Sequence, residues 1–169
     1  IGTVDPDDPD NPVNPETPFT DIQNHWAKSY IEWAYSNGYF KGITETKFGP
    51  NVAVNRAMIV SVLYRIEGEP AAGKASFSDV PEKAYYASAV AWGESTGVVS
   101  GMGEGKFAPT RNITREQLAT MLYRYAQYKK LDTSKKGDLT QYKDYTKVSS
   151  YATAAMTWAV GVGVVTGRT

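Results

Sequence analysis

Apolar side chains recur at helical spacing in four separate segments of this chain. In each segment they occupy positions i, i+3, i+4 and i+7, the spacing that gathers side chains on one face of an α-helix. The four groups are Ala27, Tyr30, Ile31 and Ala34; Ile59, Val62, Leu63 and Ile66; Leu118, Met121, Leu122 and Tyr125; and Ala152, Ala155, Met156 and Ala159. Gly38 follows the first group and is suited to the left-handed conformation that ends many helices. We therefore predict an all-α fold.

The helical segments belong to a longer pattern that repeats along the chain. The sequence Phe-Thr-Asp-Ile at residues 19–22 returns as Phe-Ser-Asp-Val at residues 77–80, and more weakly as Tyr-Lys-Asp-Tyr at residues 142–145. Trp33 and Trp92 lie 59 residues apart, and this offset is constant over the following residues of the repeat. Such regular self-similarity is typical of tandem structural repeats. Each repeat is predicted to be a helix, a glycine-bearing loop and a second helix.

The pattern divides the chain into four segments. Residues 1–18 contain five prolines spaced three apart among acidic residues, which predicts an extended, stiff linker. Residues 19–70 form the first repeat and residues 71–131 the second. Residues 132–169 contain only the first half of a third repeat. We refer to these as repeats one, two and three.

The composition excludes several classes of function. The chain has no cysteine and one histidine, so disulfides, thiolate catalysis and multi-histidine or cysteine metal sites are excluded. No stretch approaches 18 uninterrupted apolar residues, so we expect no membrane insertion. Beyond the acidic linker, 18 basic residues face 13 acidic ones, an excess too small to indicate nucleic-acid binding. The notable carboxylates recur with the repeat, as scaffolding residues do, so we predict neither catalysis nor a cofactor.

Two arginines occupy an unusual position in this pattern. Arg56 and Arg115 each stand at the first position of a predicted second helix, where the helix dipole disfavours a cation by about 0.3–1 kcal/mol. Their recurrence there suggests a bound carboxylate or phosphate. The alternative is a salt bridge between repeats, for instance with Asp21 or Asp79. Thr114 precedes Arg115 and fits the first position of a capping box.

The other recurring residues allow two interpretations each. Asp21 and Asp79 could hydrogen-bond sugar hydroxyls, or they could cap a helix or a turn. Gly42 and Gly101 are turn glycines in the simpler interpretation, although a bare backbone would also let a sugar approach closely. Trp26 begins the first helix and could either stack on a sugar or pack in the core.

The order of these motifs resembles that of the S-layer homology family. The resemblance covers residues 19–169 and rests on the opening Phe-x-Asp-(Ile/Val), Trp26-Ala27, the Gly-x-x-x-Gly spacing, Lys-Phe-x-Pro, and Ile113-Thr114-Arg115-Glu116. It implies three repeats around a pseudo-threefold axis, with repeat three truncated here. It also implies attachment of surface proteins to secondary cell-wall polymers, often through pyruvylated N-acetylmannosamine. The ligands are expected in grooves between repeats, lined by the arginine and nearby Asp, Trp and Gly.

We therefore expect a non-enzymatic anchoring module at the bacterial cell wall or S-layer, which binds an anionic secondary cell-wall polysaccharide. The alternative is a protein–protein module that assembles a surface layer. We also expect self-association or closure within the chain, because the helix of repeat three lacks the second helix of its own repeat. The predicted ligand-binding residues are Arg56, Arg115, Asp21, Asp79, Trp26, Gly42, Gly101 and Thr114.

Overall fold

The computed structural model describes residues 17–167, and these form five α-helices joined by loops. The helices are α1 (Lys28–Ser36), α2 (Arg56–Ile66), α3 (Ala87–Ser95), α4 (Arg115–Tyr128) and α5 (Thr153–Gly161). Two short 3₁₀ turns, Tyr145–Lys147 and Ser150–Ala152, lead into α5. Over this part of the chain the only β pairing is one isolated bridge between Asn55 and Asn112. The predicted all-α class is confirmed, and residues 1–16 of the predicted linker lie outside the described residues.

The second helices of repeats one and two begin where the sequence predicts, because each has a side-chain cap. The Asn55 side chain accepts a hydrogen bond from the Met58 N–H at 2.9 Å, which caps α2. Thr114 Oγ1 accepts from the Gln117 N–H at 3.2 Å, and the Gln117 side chain accepts from the Thr114 N–H at 3.3 Å. The predicted capping box of α4 is therefore present, and it satisfies two amides that the helix leaves unpaired.

The first helix of every repeat ends before a glycine in the left-handed conformation. Gly38 after α1, Gly97 after α3 and Gly163 after α5 have φ values of +73°, +75° and +77°. An L-residue with a side chain rarely adopts these values, so the glycine in each repeat fixes where the chain leaves the helix.

The chain forms two compact units, Ile1–Ala53 and Val54–Thr169. The boundary falls inside repeat one, so α2 belongs to the second compact unit with repeats two and three. There α2 packs against α3, and α4 packs against α5. The second helix of one repeat is thus paired with the first helix of the next repeat.

This pairing bears on the expectation of closure within the chain or self-association. The apolar face of α5 packs against α4 of repeat two, and no second helix of its own repeat is needed to cover it. Ala119 and Ala126 of α4 lie in one buried cluster with Trp158 and Ala159 of α5. Closure within the chain therefore covers this face. Self-association stays a prediction, and it no longer has an open α5 face as its basis.

The largest core lies in the second compact unit, where α2, α3 and α4 meet the loop that follows α3. Its buried residues include Val60, Val90, Val98, Phe107 and Met121. The Ile1–Ala53 unit has a separate small core of Phe19, Ile22 and Ile31. Each of the two complete Lys-Phe-x-Pro loops packs its phenylalanine against one of these cores.

Candidate functional site

The aspartates of the Phe-x-Asp motif hold the loop of their own repeat. The two carboxylate oxygens of Asp21 accept hydrogen bonds from the consecutive N–H groups of Phe48 and Gly49, each at 2.9 Å. Asp79 accepts from the equivalent two amides of repeat two, each at 2.8 Å. The Phe48 amide bond is the main reason that the pKa of Asp21 lies below its usual value. Both aspartates therefore hold the Lys-Phe-x-Pro loop of their repeat through two backbone hydrogen bonds each. These bonds join residues that are 27 or more positions apart, so the sequence alone does not reveal them.

The glycines Gly42 and Gly101 are required by close packing beneath the same loops. A Cβ atom at Gly101 would lie 2.8 Å from the Lys106 carbonyl oxygen and 2.9 Å from the Phe77 ring. A Cβ at Gly42 would meet its own loop carbonyl at 2.7 Å and a phenylalanine ring carbon at 2.5 Å. A side chain at either position would force its neighbours to shift, since these contacts are shorter than van der Waals separation.

Arg56 lies at the start of α2 and is almost completely buried, with 3% of its surface exposed. Its Nε donates to the Phe107 carbonyl and its Nη2 to the Ser100 carbonyl, both at 2.8 Å. The guanidinium carbon lies 4.6 Å from the centre of the Phe107 ring, a cation–π contact. Burial lowers the pKa of Arg56. Within the second compact unit Arg56 forms no ion pair with Asp79, so that version of the salt-bridge alternative is wrong.

A cavity of about 260 Å³ opens beside the Arg56 guanidinium. We call it the arginine pocket, and its lining includes Arg56, Ser100, Met102, Glu116, Arg124 and Tyr151. These residues come from α2, from the loop after α3, from α4 and from the turn before α5. The arginine pocket is therefore assembled from all three repeats within the second compact unit.

The lining of the arginine pocket has an excess of available positive charge. Arg124 donates from Nη1 to the Ser100 hydroxyl at 2.8 Å, and among the described residues neither Arg124 nor Arg56 forms an ion pair. Glu116 is already engaged, because its carboxylate accepts from the N–H and hydroxyl of Ser149 at 2.9 and 3.0 Å. The Tyr151 hydroxyl donates to the same carboxylate at 3.1 Å. At this cavity two guanidinium groups thus remain without a carboxylate partner from the described part of the chain.

Arg115 occupies a different environment from Arg56 although the two are equivalent in sequence. Its Nη2 donates to the carbonyl of Thr166, which precedes Gly167 as Ser100 precedes Gly101. Arg115 is exposed, and it lines a separate cleft together with Thr114. One of the two carbonyl contacts of Arg56 is therefore repeated here, and the two arginines do not share a site.

Trp26 belongs to the first compact unit and is 83% exposed. The core interpretation is therefore wrong, and sugar stacking stays a prediction. Tyr151, at the matching position of repeat three, is 56% exposed and lines the arginine pocket. Sequence reasoning missed Arg124, Glu116 and Tyr151 as pocket residues. For Tyr151 the sequence did contain a signal, because this residue aligns with Trp26.

Of the predicted binding residues, the arginine pocket contains only Arg56. Asp21, Asp79, Gly42 and Gly101 form the loops of their repeats, and Thr114 caps α4. Within residues 17–167 no cluster of histidine and acidic side chains could hold a metal ion. No helix in the same range has the length and apolar character needed to cross a membrane.

One family model and several known proteins match this chain. The S-layer homology domain model matches residues 18–57 and 76–119. An endoglucanase of Bacillus sp. is 32% identical over 153 residues, which are 89% of this chain and 16% of that protein. The surface-layer 125 kDa protein of Lysinibacillus sphaericus is 26% identical over 84% of this chain and 12% of its own length. A cellulosome-anchoring protein of Acetivibrio thermocellus is 40% identical over 36% of this chain and 14% of its own length. The chain thus spans less than a fifth of each relative.

Proposed function

Because this chain belongs to the S-layer homology domain family, we propose that it anchors a bacterial surface protein by binding an anionic secondary cell-wall polysaccharide. S-layer homology domains are non-catalytic anchoring modules that are located at the extracellular cell wall and S-layer. The finer proposal is that the arginine pocket holds an acidic group of the polymer. A carboxylate on a pyruvylated sugar is the group that we assign to it.

The observation that carries the proposal is a pair of guanidinium groups at one cavity, those of Arg56 and Arg124, for which residues 17–167 supply no carboxylate partner. Two bonds to main-chain carbonyls hold Arg56 in place, so its charge is oriented before any ligand arrives. Hydrogen bonds between a guanidinium and a carboxylate are about twice as strong as neutral ones. The Glu116 carboxylate offers little competition, because Ser149 and Tyr151 already donate to it.

The size of the arginine pocket favours a short acidic element over a large ligand. Its volume of about 260 Å³ is at or below the lower end of the range of roughly 300–1,000 Å³ that is usual for small-molecule sites. A single charged sugar would enter it, and the remainder of the polymer would stay outside. The Tyr151 ring is 56% exposed and lines the arginine pocket, and we assign to it a contact with that sugar.

The test measures binding of the chain to isolated cell-wall sacculi before and after selective removal of the non-peptidoglycan polymer. We expect binding to be lost with the polymer and to weaken as salt concentration rises, because exposed charges are screened. Binding that persists after polymer removal would favour the alternative, a protein–protein assembly module.

A matched pair of variants connects this binding to the arginine pocket. Arg124→Ala removes one of these two guanidinium groups, and we expect it to weaken polymer binding by about tenfold or more, since a charged hydrogen bond contributes about 1.5–3 kcal/mol. Arg111→Ala removes the same charge from an exposed side chain that does not line the arginine pocket. Equal losses in the two variants would show that only net charge matters and would reject the site assignment.

A further inference from the structure

The wall of the arginine pocket contains a carboxylate as well as two guanidinium groups. Arg56, Arg124 and Glu116 all contribute to this wall, and the other residues that line it are uncharged at neutral pH. Two positive charges and one negative charge leave the wall with an excess of one positive charge. Glu116 therefore sets how much negative charge on a ligand the pocket can balance.

The Glu116 carboxylate is fixed in this wall by the turn that precedes α5. Its Oε1 accepts hydrogen bonds from the hydroxyls of Ser149 and Tyr151, at 3.0 and 3.1 Å, and its Oε2 accepts from the Ser149 N–H at 2.9 Å. Glu116 forms no ion pair with any residue in the range 17–167. Its charge therefore stays in the pocket wall without being neutralised by direct contact with an arginine.

The same three donors keep the carboxylate ionised. Burial raises the pKa of Glu116, but the bonds from Ser149 and Tyr151 together have the larger effect, so this pKa lies below its usual value. The pKa of Tyr151 is raised, first by burial and then by its hydrogen bond to Glu116. At neutral pH the wall therefore contains one carboxylate anion and no tyrosinate.

This balance of charges favours one ligand charge over another. The attraction between a ligand and the wall grows in proportion to the ligand charge, whereas the cost of removing the ligand from water grows with the square of that charge. A ligand with one negative charge balances the wall. A ligand with two leaves one negative charge uncompensated in a partly enclosed site, which is costly.

We propose that Glu116 is a specificity-determining residue, which makes the arginine pocket select a singly charged acidic group, such as a carboxylate, over a doubly charged phosphate monoester. This inference rests on the proposed function, in which the pocket holds an acidic group of the polymer. The pocket volume of about 260 Å³ admits either group, so the selection is made by charge and not by size.

The test compares two hexoses that differ in the acidic group at carbon 6. Glucuronate carries one carboxylate, and glucose 6-phosphate carries a phosphate monoester that is doubly charged at about pH 8. Binding is measured by NMR titration of the isotope-labelled chain, with glucose as the uncharged control. We expect glucuronate to bind about tenfold or more tightly than glucose 6-phosphate at this pH, because the second phosphate charge is not compensated.

A matched pair of variants assigns this preference to Glu116. Glu116→Gln keeps the shape of the side chain and raises the excess charge of the wall to two, so the affinity for glucose 6-phosphate should rise about tenfold and that for glucuronate by about threefold or less. Glu94→Gln is the control. Glu94 also accepts from the N–H and hydroxyl of one serine, Ser76, but it does not line the arginine pocket. The preference should be unchanged in this variant.

A second measurement uses the unaltered chain and so does not depend on the folding of a variant. Glucose 6-phosphate loses one charge between about pH 8 and about pH 5, since the second pKa of a phosphate monoester is about 6. Its affinity should therefore rise as the pH falls, while that of glucuronate should stay constant. The wall keeps its charge over this range, because arginine does not lose its proton and the pKa of Glu116 is lowered.

Several results would overturn the proposal. The first is equal or tighter binding of glucose 6-phosphate by the unaltered chain at about pH 8, and the second is failure of both acids to bind. The third is an unchanged preference in Glu116→Gln when its circular dichroism matches that of the unaltered chain. A chain that binds sacculi but shows no preference between the two hexoses would reject this inference alone, whereas loss of polymer binding itself would reject the proposed function.

Discussion

Arg56 and Arg115 hold equivalent positions in the repeat, yet the structure predicts that their replacement by alanine has different effects on stability. Arg56→Ala deletes a buried guanidinium that donates to two carbonyls at 2.8 Å and covers the Phe107 ring. Arg115→Ala deletes an exposed guanidinium with a single carbonyl contact, to Thr166. The unequal burial of the two side chains is the source of the difference.

The magnitude follows from the contacts of Arg56. A hydrogen bond from a charged donor contributes about 1.5–3 kcal/mol, and a partly desolvated cation–π contact adds about 1 kcal/mol. Ser100 lines the arginine pocket and its bond to Arg56 is only partly buried, so water can replace the lost donor there. The Phe107 bond is buried and has no such replacement. We therefore expect Arg56→Ala to reduce the free energy of unfolding by about 3 kcal/mol, and Arg115→Ala by less than about 1 kcal/mol.

Thermal and urea unfolding of the two variants and the unaltered chain measure this difference. A loss of about 3 kcal/mol corresponds to a decrease in Tm of about 6–12 °C for a chain of this length. Arg56→Lys is a useful third variant, because it keeps the charge but cannot reproduce the two-carbonyl geometry. Equal decreases in Tm for Arg56→Ala and Arg115→Ala would refute the reasoning, as would an Arg56→Ala variant as stable as the unaltered chain.

Two further predictions concern Glu116 and Gly101. Burial is the largest single effect on the pKa of Glu116 and raises it, but the hydrogen bonds from Ser149 and Tyr151 together lower it further, so this pKa lies below its usual value. The charged carboxylate therefore stabilises the fold above the pKa of the unfolded state, and this contribution is lost as the pH falls through the lower folded pKa. Glu116→Gln should flatten the acid limb of a Tm-against-pH profile, and an unchanged limb would contradict this account. Gly101→Ala should lower the free energy of unfolding by about 1–3 kcal/mol in urea titrations, because the new methyl group meets the loop carbonyl at 2.8 Å. Gly73→Ala, with open space around it, is the matched control, and equal effects of the two substitutions would reject the packing argument.

The sequence by itself determined the features that depend on neighbouring residues. Helical spacing, the cap at Thr114 and the left-handed stop at Gly38 involve interactions over four residues or fewer, so the pattern of residue types specifies them directly. Because the sequence repeats, each helix, cap or stop predicted in one copy was also expected at the equivalent positions of the other copies. The all-α class and the family resemblance both follow from this local and periodic information.

Only the tertiary structure decided which repeated elements bind each other. Periodicity shows that α5 has an apolar face, but it does not say whether that face meets a helix of its own repeat or α4 of the preceding one. It also shows that Asp79 and the Phe107 loop recur together, without showing that one clamps the other.

The arginine pocket is the clearest example of this limit. It combines Arg56, Arg124 and Tyr151, which belong to three different repeats and are far apart in the chain. Such contacts form only when long loops close, and any recurring residue has several equivalent partners available to it. The choice among those partners is made by packing of the whole unit, since the arrangement has to bury the apolar faces and satisfy the buried carbonyls together.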